Sequence, residues 1–123
     1  MVYWLRREDG SVAKASSGTV IFPDGTSQHL TYKDLKITTL DHWKSPKSGA
    51  NYPSQWIIHI PAHQIQAHII PRMADQELRT GQSTQVTYWE GDVDVSGTVE
   101  QQPMTGMGYV ELTGYAEPYK PSY

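Results

Sequence analysis

The feature that most constrains this chain is its punctuation. Gly, Pro, Asp and Ser interrupt it so often that the runs between them are short, and most of those runs alternate apolar with polar residues. That pattern predicts antiparallel strands. About seven candidates can be drawn: 2–6, 16–22, 29–40, 54–60, 64–71, 83–97 and 108–115. The third is long enough to break near Lys33-Asp34. Pro23-Asp24-Gly25 and Glu8-Asp9-Gly10-Ser11 read as turns, because Pro presets φ and Gly accepts a positive φ. Connections this short favour a meander over parallel crossovers. One window, Met73 to Arg79, carries helix-forming residues after Pro71, so at most one short helix is expected, ended by Gly81.

Length and charge exclude several classes. A chain of 123 residues suits one domain, expected to span residues 1–123. Ten basic against 13 acidic side chains leave a net charge of −3, which draws neither nucleic acid nor anionic lipid. No apolar run is long enough to span a bilayer, and the opening residues are charged where a signal peptide needs its apolar stretch. With no cysteine there are no disulfides, thiol nucleophiles or Cys-based zinc sites. The 8 Tyr and 4 Trp against 1 Phe favour half-wet surfaces and lined cavities.

Alternation assigns faces. Trp89, Val93 and Val95 share one side of the sixth candidate; Tyr88, Glu90, Asp92 and Asp94 share the other. In the seventh, Val110 and Leu112 lie opposite Tyr109, Glu111, Thr113 and Tyr115. If these strands pair through a loop at residues 100–106, Glu90, Asp92 and Glu111 gather on one face beside Tyr88 and Tyr109. Clustered carboxylates raise one another's pKa, and a carboxyl held protonated is a general acid, so these five are the candidate catalytic residues. The plain alternative is the wet face of a sheet. Trp43, Tyr52, Trp56 and Trp89 are the candidate ligand-binding residues, lining a mouth or plugging the end of a barrel.

Metal chemistry finds little support. His59 and His63 have helical spacing, but Pro61 lies between them and no Glu completes a zinc motif. His29, His42 and His68 are scattered, and Asp92-x-Asp94 lacks the other oxygens of a calcium loop. No nucleophile elbow, phosphate loop or dinucleotide fingerprint occurs, and no cofactor is expected.

Several longer stretches carry a resemblance. They are Tyr3-x-Leu5-Arg6-Arg7 with Asp9-Gly10-Ser11 and Ser17-Gly18-Thr19; Trp43-x-Ser45-Pro46-x-Ser48-Gly49-x-x-Tyr52-Pro53-x-x-Trp56; Ala74-Asp75-Gln76-Glu77-Leu78; and Tyr88-Trp89-Glu90-Gly91 to Val95-Ser96-Gly97, then Gly108-Tyr109-Val110-Glu111-Leu112-Thr113-Gly114-Tyr115. In this order they resemble the C-terminal part of the hydroxyneurosporene synthase (carotenoid 1,2-hydratase) and AttH-like family of predicted secreted hydrolases. The resemblance implies an all-β, lipocalin-like barrel of about seven strands, here an incomplete one without its first strands, forming the C-terminal part of a longer two-domain protein. It also implies a periplasmic or secreted location and hydratase or hydrolase-like activity in the full-length protein. Alkene hydration needs an acid, aromatic faces to stabilise a cation, and a placed water.

The family's Asp-His-x-Trp motif lies upstream of the matched region. Asp41-His42-Trp43 lacks its spacer and takes no role from it. The expected function is therefore binding of an apolar small molecule, or bracing the parent protein's N-terminal domain, without catalysis by the isolated chain. Two rivals remain: an acidic hydratase or hydrolase site on the last two strands, and a carbohydrate-binding sandwich with aromatic platforms. The missing first strands predict open edges and weak self-association.

Overall fold

The computed structural model describes residues 1–79 and 87–116. Among them every strand pairing is antiparallel. β1 (Val2–Tyr3), β2 (Ser17–Ile21) and β3 (Ser27–Thr31) form a small sheet in that order. A larger sheet holds β4 (Lys36–Lys44), β5 (Asn51–Ile60), β6 (Ile65–Pro71), β7 (Glu77–Arg79), β8 (Thr87–Val99) and β9 (Gln102–Leu112). β4, β5, β6 and β8 follow one another across it. β8 then carries β9 along one side, with β6 and the short β7 end to end along the other. Neither sheet closes into a barrel among the described residues.

The turns form where local chemistry asks for them. Asp24 Oδ1 accepts both the N–H and the hydroxyl of Thr26, at 2.9 and 2.6 Å, and Gly25 takes φ +86°. Asp34 Oδ2 accepts the Thr31 N–H at 2.7 Å, breaking the long 29–40 run into β3 and β4 where Lys33-Asp34 predicted it.

Two candidate features do not form, the first of them within the expected limit of at most one short helix. Residues 73–79 form no helix: they bend, then enter the sheet as β7, pairing Glu77 with Trp89 and Arg79 with Thr87. Helix propensity there is overridden by the sheet ladder and by the partners that the Glu77 side chain finds. Nor is there a loop over residues 100–106. β8 and β9 run on to Val99 and Gln102 and turn tightly through Glu100 and Gln101, both with positive φ (50° and 68°). The first part of the sixth candidate, residues 83–86, and the Gly81 helix stop lie outside the described residues.

The larger sheet buries its inner face in three patches. At one end Leu30, Leu35 and Ile60 join the two sheets, with Trp4, Ile37 and Ile58 packed on them. The middle holds Trp56, Ala67, Ile69 and Val93. At the far end Tyr52, Ala50 and Trp89 pack with Trp43 and Leu112. Apolar burial of this kind stabilises by about 25 cal/mol per Å² removed from water.

Candidate ligand site

The inner face is not filled everywhere. Between the N-terminal segment and the middle of the larger sheet lies a partly open cavity of about 380 Å³. Trp56 and Ile58 of β5, Ile69 of β6, and Val93 and Val95 of β8 give it an apolar floor, since alternation sends these residues inward. Trp4 and Arg6 cover it from the N-terminal side. Ser16 fixes that cover: its buried Oγ accepts the Leu5 N–H at 2.8 Å, while the Ala13 N–H donates to Leu5 O at 2.9 Å. On β4, Thr39 faces the cavity directly opposite Trp56 in the register. Two buried polar atoms of lining residues, Trp4 Nε1 and Thr39 Oγ1, have no hydrogen-bond partner among the described residues.

A second polar arrangement lies beyond the far end of that floor. The loop 45–50 folds on itself, with the Ser45 N–H bonded to Ala50 O at 2.8 Å and Gly49 at φ +75°. The fold aims Ser45 Oγ at Glu77 Oε1 (2.6 Å), and Ser48 Oγ and Tyr52 Oη at Glu77 Oε2 (2.6 and 2.7 Å). Burial alone would raise the Glu77 carboxyl; the three hydroxyls and the charge of Arg79 outweigh it and hold Glu77 below the usual carboxylate range. Burial, the hydrogen bond to Glu77 and its charge push the Tyr52 phenol far above its ordinary value. Trp43 stacks on Tyr52 at 6.1 Å, and Trp89 Nε1 donates to Ala74 O at 2.8 Å. With its hydroxyls and carboxylate paired, this arrangement locks β7 and the 45–50 loop together.

The five acidic-face candidates do come together. Glu90 pairs with Glu111 and Asp92 with Tyr109 across β8 and β9, and Tyr88 is on the same face. That face is the outer one: Asp92, Tyr109 and Glu111 are exposed, Tyr88 and Glu90 half-buried. Desolvation, then the charges of Glu90 and Glu111, raise the Tyr88 phenol; desolvation, Glu90 and Asp92 raise Tyr109. Of the four aromatic candidates, Trp56 lines the cavity. Trp43, Tyr52 and Trp89 belong to the packed far end, where Tyr52 and Trp89 are each 1% exposed. Trp89 and Trp56 are buried, so Trp43, Trp56 and Trp89 do not form an exposed row of rings for a sugar to stack on. No group of three His, Asp or Glu side chains fit to hold a metal occurs among the described residues.

Sequence reasoning missed Trp4, Thr39 and Glu77. The first two sit in runs that read as plain strand. Glu77 meets hydroxyls 25 to 32 residues away, a distance at which spacing carries no signal.

A family model described as AttH-like matches residues 1–115. The fold is similar to the crystal structure of an AttH protein from Nitrosomonas europaea, with 30% identity and a TM-score of 0.79, over 93% of this chain and 33% of that one. It is also similar to kievitone hydratase from Nectria haematococca, with 22% identity and a TM-score of 0.71, over 94% of this chain and 34% of that one, a likeness of fold alone. The chain thus spans about a third of each of these structures. No curated protein matches the sequence.

Proposed function

This chain belongs to the AttH-like family, and we propose that it serves as a lipocalin-like binding domain, taking an apolar small molecule into the cavity under Trp4. The observation that carries this reading is the partly open cavity on the inner face of an unclosed sheet, floored by Trp56, Ile58, Ile69, Val93 and Val95. An apolar pocket with few polar groups is the common form of a small-molecule site. Glu90 and Asp92 stand on the opposite face of the same sheet, and Glu111, though its residue reaches the cavity wall, is turned by alternation towards Glu90 and Tyr88, so the reading gives an alkene held in the cavity no proton donor among the three. The reading therefore has the isolated chain bind without hydrating, with catalysis, where it occurs, belonging to a longer parent protein whose other domain this one braces.

The test uses a neutral apolar fluorophore, Nile red. Its emission should rise and shift to the blue on the native chain, and Val95→Phe, which fills the cavity, should abolish the change while circular dichroism stays β-type. No emission change on the native chain, or an equal change on the variant, would refute cavity binding.

A further inference from the structure

We infer that the ligand of this cavity carries a carbonyl oxygen on an otherwise apolar body, and that the Trp4 indole N–H and the Thr39 hydroxyl are its anchors. The inference rests on the proposed cavity binding and adds its polar specificity. An indole N–H can only donate, and a buried donor without an acceptor is costly. Among the described residues three side chains hold such an unpartnered buried atom, and two of them, Trp4 and Thr39, line the cavity. They belong to one neighbourhood: Trp4, Ile37 and Ile58 pack on the same buried patch, and Thr39 is the next inward residue after Ile37 on β4.

The charge at the site points the same way. Arg6 is a further donor in the cavity wall. Glu111 is the acidic residue of that wall, but alternation sends its side chain to the outer face, opposite Glu90. The cavity thus offers donors and asks for an acceptor. A carbonyl oxygen has two lone pairs and can serve both anchors, and both a neutral ketone and a carboxylate supply one.

Three bicyclic probes of nearly equal shape separate these cases: 2-acetylnaphthalene, 2-ethylnaphthalene and 2-naphthoate, titrated into the whole ¹⁵N-labelled chain. The ketone should bind at least about fivefold more tightly than the hydrocarbon, the worth of one ordinary hydrogen bond. The Trp4 indole proton should move downfield with the ketone alone of that pair. Trp4→Phe and Thr39→Val should each remove most of the ketone's advantage, read as the ratio of ketone to hydrocarbon affinity in the same variant, so that a change in apolar packing common to both ligands cancels. A naphthoate tighter than the ketone, and weakened by Arg6→Gln, assigns the carbonyl to a carboxylate; a weaker one assigns it to a neutral group. Equal binding of ketone and hydrocarbon with the indole proton unmoved overturns the anchor and leaves the cavity reading standing. Binding of none of the three overturns both.

Discussion

Glu77 shows how much one residue can hold. Its two oxygens accept from Ser45, Ser48 and Tyr52, tying a loop and an edge strand to β5. Glu77→Gln replaces one acceptor oxygen by an amide donor, so at least one buried hydroxyl loses its partner. The expected loss is about 1–3 kcal/mol in urea unfolding. Because the folded pKa lies below the unfolded one, the native state binds fewer protons. The Glu77 contribution is then complete above the unfolded value of 4.5 and is lost as pH falls through the folded pKa. Asp9, Asp24 and Asp34, also held low, add to the same acid window, so the variant should flatten the pH profile there without abolishing its slope. Gly97 makes a second residue-scale case. A Cβ there would stand 1.9 Å from Gln66 O, a backbone atom that cannot swing aside. Gly97→Ala should destabilise by about 1–3 kcal/mol or more, as overpacking does, and an unchanged melting temperature would contradict that geometry. At this scale the sequence showed which residues were distinctive, such as Ser45, Ser48 and Gly97, and not why. Their partners come from other strands, and the partner sets the role.

The β8–β9 hairpin was the most legible element, because alternation over Trp89, Val93, Val95, Val110 and Leu112 leaves one register that buries them together. Its turn was not legible. Glu100 and Gln101 adopt positive φ without a Gly or Asn to announce it, so the strands read as shorter than they are. The 73–79 window misled for the opposite reason: its composition favours a helix, and tertiary pairing with β8 decides. The hairpin register also places Glu90 directly across from Glu111. Like charges opposite one another destabilise, so Glu111→Lys should stabilise by about 0.2–1 kcal/mol, with the gain shrinking as salt rises. Removing one of the negative charges near it should also lower the Tyr88 phenol, which ultraviolet titration of tyrosinate would read. A stability gain that persists unchanged in high salt would show that the two carboxylates do not interact.

Two of the larger sheet's edges, as seen among the described residues, are of unlike character. β4 is guarded: its register slips on either side of Asp41, and lysines stand at both its ends. Such bulges and charges keep an edge from pairing with another chain. Among the described residues β9 has no such defence. Over 11 residues it offers Pro103 and one charge, Glu111, while Met107 and Tyr109 stand 77% and 62% exposed. Two copies of β9 laid antiparallel about Met107 would set Glu111 against Pro103 and Thr105 against Tyr109, so no like charges meet. The chain should use this edge to pair with a second copy, weakly, since the contact is narrow. Sedimentation velocity over rising concentration should show a reversible monomer–dimer exchange. Met107→Lys should suppress it while leaving the thermal transition in place, because the side chain is exposed and its one polar contact among the described residues is a 3.4 Å approach from Arg72 to its sulfur. A native chain that stays monomeric at high concentration would mean that the bare edge of β9 does not recruit a strand, and the same dimerisation in Met107→Lys would move the interface elsewhere.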